Sequence, residues 1–309
     1  MSAVPSLSDL VAAELAQPVD PRVSAMAAAL AAEYPKAARA VLFYGSCLRQ
    51  RELDGLMLDF YLIVSDYRDA YDSSWLVFAN KAVPPNVFPF GHDGLIAKYA
   101  VLSEADFARE IGKDARSVSV WARFAQPSRL VWAADDEVKR RMAATVADAA
   151  PTLFQYTLPM MEPSRPLTTR EIWERGFELT YAAELRAERG GRPGAIVDSE
   201  PQRYDRFGNA ALARIAELTG VGPNGEVALL ASSERMVRWR RKTRWKGKAL
   251  TLVRLAKATT TFAGGVDYIA WKINRHAGTA IEVKPWQRRW PILGALTLLP
   301  RLWRGGAIR

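Results

Sequence analysis

The sequence predicts an α/β fold in which helices cover at least one face of a mixed sheet. Two observations support this class: short apolar runs typical of strands, and segments with the apolar spacing of helices between them. The predicted strands lie at 39–44, 56–64, 95–103 and 129–133. The predicted helices lie near 8–16, 21–34, 65–83, 103–112, 117–126 and 135–150. Strands separated by helices indicate a sheet with a covered face.

Single positions refine these elements. Ser103 is typical of a helix N-cap, because its hydroxyl can accept a hydrogen bond from a backbone amide of the first turn. Pro84, Pro85 and Pro89 predict a loop, since proline has no amide hydrogen to donate. After about Pro159 the strand patterns fade and helical patterns remain.

Three parts are predicted along the chain. An α/β domain spans 1–158, a mostly helical domain spans 159–275, and a basic, tryptophan-rich segment spans 276–309. The first boundary falls at PMMEPSRP, where three prolines interrupt regular structure.

Composition narrows the chemistry. The chain has 309 residues, one cysteine and two widely separated histidines, His92 and His276, which excludes a disulfide framework and a cysteine-rich zinc site. A metal is therefore expected on carboxylate oxygens, which favours magnesium or manganese. The N-terminal stretch has no signal-peptide pattern, and no apolar run reaches the roughly 18 residues of a spanning helix. We therefore expect a cytoplasmic protein.

One short motif carries most of the functional prediction. Gly45 and Ser46 form a turn after the first strand, and Asp59 lies inside the apolar second strand. Glycine lets the backbone approach a triphosphate, the serine hydroxyl can bind phosphate oxygen, and the carboxylate can hold magnesium. Nucleotidyltransferases of the polymerase-beta type use this arrangement, so a polymerase-beta-like nucleotidyltransferase fold is predicted. The alternative is an aspartate that satisfies a backbone amide at a sheet end.

The motif departs from that superfamily at one position. Its usual second acid, two residues after the first, is replaced by Tyr61, which cannot serve as a carboxylate at neutral pH. Either Asp54, Asp66 or Glu184 supplies the second ligand, or the site is degenerate.

The chain resembles a narrower family, the mitochondrial-type phosphatidate cytidylyltransferases of the translocator assembly and maintenance type. YGSCLRQ and MLDFYLIV are similar to that family's Gly-Ser turn and single-acid strand, with Cys47 in place of a glycine. Further similar segments are KYAVLSEADF (98–107), VWARFAQP (120–127), LTYAAELRAERG (179–190) and LAKATTTFAGGVDYIAWKI (255–273). The resemblance spans about 40–275 in ordered islands. A Trp-His pair and a His-Tyr-Ser segment of the family have no clear counterpart.

The resemblance implies transfer of CMP from CTP to phosphatidate, which gives CDP-diacylglycerol and pyrophosphate. Asp59 would bind magnesium, with Asp54 or Glu184 as a second ligand, and Gly45 and Ser46 would seat the triphosphate. Lys98 would neutralise phosphate charge, and Arg123 and Arg186 would hydrogen-bond a phosphate. Tyr181 would pack beneath the site. Each has a structural alternative: a lysine that extends along the sheet, arginines in salt bridges within helices, a glutamate on a solvated helix face, and a packed tyrosine.

The C-terminal quarter is strongly basic. Between Arg235 and Arg309 there are 18 basic and two acidic residues, and six of the ten tryptophans lie between 239 and 303. Trp286, Trp290 and Trp303 bracket the short apolar run ILGALTLL, which favours a segment lying in the interface of an anionic membrane. The run can instead pack on the protein itself, and nucleic acid is a weaker alternative partner.

The predicted function is therefore a peripheral membrane cytidylyltransferase. Two alternatives stay open: a nucleotidyltransferase with a soluble or RNA acceptor, and an inactive relative that binds lipid or nucleotide.

Overall fold

The computed structural model describes residues 5–49, 52–161, 167–183, 193–219 and 284–285. Apart from 284–285, the basic, tryptophan-rich segment lies outside these residues, as does most of the region before it. The described chain forms a mixed five-stranded sheet with helices on both faces, followed by further helices, so the predicted α/β class is confirmed.

The sheet has the strand order β3-β4-β2-β1-β5. Its strands are β1 (Ala38–Tyr44), β2 (Met57–Val64), β3 (Asn86–His92), β4 (Leu95–Ser103) and β5 (Ser128–Ala133). β1 runs antiparallel to both β2 and β5, β2 runs parallel to β4, and β3 runs antiparallel to β4.

Eleven helices are described. They are α1 (Leu7–Leu15), α2 (Pro21–Ala32), α3 (Tyr67–Ala70), α4 (Ser74–Ala82), α5 (Glu104–Ile111), α6 (Ser119–Phe124), α7 (Asp136–Ala147), α8 (Ala149–Thr157), α9 (Thr169–Ala183), α10 (Pro193–Ser199) and α11 (Pro201–Thr219). The predicted cap at Ser103 is confirmed, because its hydroxyl accepts a hydrogen bond from the Asp106 amide at 3.2 Å. None of the described helices is both long and apolar enough to cross a membrane.

Side chains alternate across the sheet and so build two apolar cores. On the front face, Leu42, Tyr61 and Leu102 pack against α1 and α5 to α8. On the back face, Val41, Phe60 and Val101 pack mainly against α2 and α3, as part of a second cluster. Both faces of the central strands are therefore dry along most of their length.

The helices that follow the sheet share the front-face core. Trp173 on α9 is fully buried, and its indole Nε1 donates to the Tyr204 carbonyl on α11 at 2.8 Å. Phe154 on α8 lies with its ring 4.7 Å from that of Trp173. In 167–183 and 193–219 the regular structure is helical, as predicted. The domain boundary near 158 stays a prediction, since one apolar cluster contains residues from both sides of it.

Two predicted elements were wrong. The segment with Pro84, Pro85 and Pro89 contains a strand, β3, which lies at the sheet edge, where a proline need not donate to a neighbour. The predicted helix at 65–83 is two helices, because Tyr71 between them adopts an extended backbone and buries its ring against Phe88.

Candidate functional site

The turn after β1 depends on a glycine with a positive φ. Gly45 has a φ of +96°, a region that favours glycine because it has no side chain. A short 3₁₀ turn, Ser46–Arg49, follows and leaves the Ser46 side chain exposed. A methyl group placed on Gly45 would lie 3.4 Å from Asp59 Oδ2. The backbone of the turn therefore faces the carboxylate directly.

Strand pairing explains why an acid lies inside an apolar strand. In the sheet register, Asp59 is opposite Tyr44 of β1 on one side and Lys98 of β4 on the other. All three lie on the front face at the end of the sheet, where the apolar core stops. Asp59 is accordingly 22% exposed rather than dry, which lowers the cost of its charge.

Asp59 is paired with a cation from the same chain. The Lys98 ammonium lies 2.8 Å from Asp59 Oδ1, and the Lys98 side chain is 28% exposed. The two carboxylate oxygens thus have different neighbours: Oδ1 meets the ammonium, and Oδ2 faces the Gly45 turn. Both side chains are only partly exposed, so water screens the two charges less than it would at an open surface.

Tyr44 connects this pair to α6. Burial raises the pKa of the Tyr44 phenol well above its usual range, and the nearby Asp59 charge acts in the same direction. The Arg123 guanidinium, beside the phenol, opposes that shift by its charge and a hydrogen bond. Arg123 also donates to the Ser119 carbonyl on its own helix. The tyrosine therefore remains protonated and can donate its hydroxyl hydrogen.

Tyr61 fills the position of the missing second acid. Its side chain is 2% exposed and belongs to the front-face core. Its ring centroid lies 5.3 Å from that of Tyr44 and 5.3 Å from that of Phe124. A carboxylate here would be buried among aromatic rings, so the position is structural in this chain.

Cys47, next to the Gly-Ser turn, is a buried thiol. Burial raises its pKa, the Asp59 charge raises it further, and the Lys98 charge lowers it. Its Sγ lies 3.5 Å from the Met57 carbonyl oxygen. A protonated thiol is a poor nucleophile, which agrees with the interpretation of Cys47 as a small residue accommodated in the turn.

The remaining predicted site residues are distributed differently. The structure brings Gly45, Ser46, Asp59 and Lys98 together, and Arg123 reaches the group through Tyr44. Asp54 is 68% exposed and pairs with Arg22 at 2.9 Å. Tyr181, on α9, is half-buried and packs against the front-face core. Glu184 and Arg186 lie outside the described residues.

The donor set suits a cation that is shared with a ligand. Among the described residues, no group of three or more His, Cys, Asp or Glu side chains could hold a metal. Magnesium commonly uses one or two carboxylates and takes its remaining ligands from water and substrate phosphates. Asp59, with one oxygen facing an open turn, fits that mode and does not fit an all-protein metal cage.

Tyr44 is the site residue that sequence reasoning missed. Tyr44 is the last residue of β1, directly before the Gly-Ser turn. The antiparallel pairing of β1 with β2 places it opposite Asp59. The sequence predicts both strands that flank the turn, but it does not give their register. Without the register, the residue opposite Asp59 could not be named.

Comparisons with known proteins identify no family for this chain. No family model matches the chain, and no curated protein matches it. Among solved structures, it is similar to a nucleotidyltransferase-like protein from Exiguobacterium sibiricum, with 10% identity, 93% of each chain covered and a TM-score of 0.29. A superposition at that score transfers no residue role, so the site is defined by its own geometry.

That geometry is consistent with an α/β nucleotidyltransferase fold. A Gly-Ser turn ends one strand, an acid lies on the antiparallel neighbour, and a third strand runs parallel to the strand of the acid. The finer family resemblance stays a prediction.

Proposed function

We propose that this protein is a nucleotidyltransferase that transfers CMP from CTP to phosphatidate, or to a related lipid phosphate, at a membrane surface. The observation that carries the proposal is the Gly45 turn, which faces the Asp59 carboxylate beside the Lys98 ammonium. Backbone, hydroxyl, carboxylate and ammonium groups within one small area are the set that a nucleoside triphosphate requires.

Each residue has a distinct task in this proposal. Gly45 lets the backbone approach the triphosphate, and the exposed Ser46 hydroxyl donates to a phosphate oxygen. Asp59 would hold magnesium, or manganese, which neutralises charge that develops on the phosphates. Lys98 supplies a compact positive charge to the phosphates. Tyr44 and Arg123 form the wall of the site on the α6 side.

The transfer is a displacement at the α-phosphorus of CTP. A phosphate oxygen of the lipid attacks that phosphorus, the bond to the oxygen that bridges the α- and β-phosphorus breaks, and pyrophosphate leaves. The products are the CDP-activated lipid and pyrophosphate. The protein contributes positioning and charge stabilisation and forms no covalent intermediate.

The lipid acceptor and the cytidine base rest on the family resemblance and on the basic, tryptophan-rich C-terminal region. Tryptophan and basic residues together favour an anionic membrane surface. A peripheral enzyme of the cytoplasm would reach an insoluble acceptor by binding that surface. Nucleic acid is the weaker partner because it leaves the apolar run at 292–299 unexplained.

The test is CMP transfer with labelled CTP, magnesium and phosphatidate vesicles. We expect Asp59→Asn to reduce the rate at least a hundredfold, because a neutral amide binds the cation much more weakly than a carboxylate does. Asp136→Asn is the matched control, since Asp136 is an 82% exposed helix residue on the surface. It should leave the rate within about twofold. Wild-type protein that binds Mg·CTP but makes no CDP-lipid would remove the lipid assignment.

A second candidate is a relative that binds nucleotide without turnover. It is favoured by the burial of Tyr61 where a second acid would otherwise stand. In that case, Asp59→Asn weakens CTP binding, and neither protein turns over CTP with any acceptor. Transfer to RNA or to a soluble phosphate, with none to lipid, identifies the third possibility.

A further inference from the structure

We propose that Lys98 acts as an exchangeable counter-ion: its ammonium neutralises Asp59 in the nucleotide-free protein and transfers to the triphosphate when a divalent cation takes the carboxylate. The inference rests on the proposed function only in naming the triphosphate. Its central claim, competition between one lysine and a divalent cation for one carboxylate, concerns this chain alone.

The ion pair is placed for such competition. The Lys98 ammonium lies 2.8 Å from Asp59 Oδ1, which leaves little space for a second cation on that oxygen. A divalent cation that binds both carboxylate oxygens would therefore come into contact with the ammonium. Even a cation on Oδ2 alone would be repelled by the positive charge of Lys98. Like charges in such a site cost binding free energy, and release of the lysine removes that cost.

Lys98 carries its charge at the end of a long side chain. Its side chain is 28% exposed, and its backbone is fixed in β4 between β2 and the edge strand β3. Lysine is a point charge on a flexible stem, so its ammonium can relocate by several ångströms without backbone motion. The pair is only partly exposed, so breaking it costs free energy that the divalent cation on Asp59 and the phosphates around the ammonium must offset.

The exchange would couple cation and nucleotide binding. A lysine that stayed on Asp59 would have its charge largely neutralised by the carboxylate, whereas a displaced lysine would meet the phosphates near the Gly45 turn with its full charge. Metal-free protein would thus keep its carboxylate neutralised, and nucleotide would bind well only together with a cation. Lys98 would thus lower the affinity for a divalent cation alone and raise the affinity for the Mg·nucleotide complex.

Substitution of Lys98 should separate these two roles. In Lys98→Met, we expect Mn²⁺ alone to bind about fivefold more tightly, measured by the electron paramagnetic resonance signal of unbound Mn²⁺. The affinity for Mg·CTP, measured by calorimetry, should fall about tenfold. Lys98→Arg should weaken Mn²⁺ binding, because a guanidinium can hold both carboxylate oxygens. Mn²⁺ affinity is thus expected to rise in one variant and to fall in the other. A general loss of folding would lower it in both.

The matched control is Lys139→Met. Lys139 also lies 2.8 Å from a carboxylate, that of Asp136, but the pair is exposed on α7. This variant should change neither affinity. The inference is overturned if the Lys98→Met variant binds Mn²⁺ no more tightly than wild type does. If the Met variant binds Mn²⁺ more tightly and wild type transfers no CMP, the exchange stands and the proposed function falls.

Discussion

At Gly45, two separate requirements act on one residue: a positive φ of +96°, and the nearness of Asp59 Oδ2 to the position of any side chain. The positive φ disfavours other residues by about 1 kcal/mol. The second requirement concerns binding, because a methyl group would occupy the space between the turn and the carboxylate. Stability and ligand binding should therefore respond differently to substitution.

Gly45→Ala is expected to lower the free energy of unfolding by about 1–2 kcal/mol and the affinity for Mg·CTP at least tenfold. Denaturant unfolding and calorimetry measure the two effects. Gly55→Ala is the control: Gly55 also has a positive φ, +73°, but nothing lies within 4 Å of the added methyl group. It should lose similar stability and keep its affinity. Equal losses of affinity in both variants would mean that strain, not crowding, limits binding.

The residues of the site were predictable in part. Gly45, Ser46 and Asp59 were predicted as site residues from their types and spacing, and the structure places the Gly45 turn against Asp59, while their roles stay predictions. The pairing of Asp59 with Lys98 was not predicted, since it depends on β2 and β4 being parallel neighbours in a particular register. Tyr61 could be recognised as a departure from the motif, but its burial against Phe124 depends on where α6 packs.

At the scale of elements, the close approach of α8 and α9 depends on the absence of a side chain at Gly176. A methyl group there would lie 2.2 Å from Leu153 Cδ2 and 2.8 Å from Thr157 Oγ1, both on α8. These distances are too short for contact, so the helices would have to separate or Leu153 would have to leave its place.

Gly176→Ala should therefore reduce the free energy of unfolding by about 1–3 kcal/mol, although alanine favours helix more than glycine does. Leu153→Ala alone should cost about 2–5 kcal/mol because Leu153 is fully buried. The double variant should lose less than the sum of the two, since the second change removes the atom that the first one meets. Strict additivity in denaturant unfolding would contradict this account.

Elements were predicted best where local chemistry alone decides them. The four predicted strands and the cap at Ser103 followed from apolar runs and one hydroxyl. β3 was missed because prolines argue against a strand unless it lies at an edge, and edge position is a property of the assembled sheet. The break between α3 and α4 was missed for a similar reason, because it serves the burial of Tyr71 in the back-face core.

At the scale of the whole molecule, one buried ion pair joins the first helix of the described chain, α1, to α11. Arg203 on α11 donates to both carboxylate oxygens of Glu14 on α1, at 2.5 and 2.9 Å, and to the Ala125 carbonyl at 3.1 Å. The two side chains are only 6% and 9% exposed. The arginine also lies over the ring of Phe207, 4.2 Å from its centroid.

Arg203→Met should lower the free energy of unfolding by about 3–5 kcal/mol, because Glu14 would be left charged in a nearly dry site. Adding Glu14→Gln should restore part of that loss, since the amide removes the unpaired charge. Thermal or denaturant unfolding of the single and double variants measures both. A loss below about 1 kcal/mol in the single variant would show that solvent reaches the pair.

The aromatic side chain at position 61 limits which changes the site can tolerate in future. An acid at this position would not by itself create a two-carboxylate centre, because it would first have to be hydrated where the rings of Tyr44 and Phe124 pack. Several neighbouring residues would have to become smaller or polar at the same time. The packing of the front-face core thus holds this site to a single carboxylate.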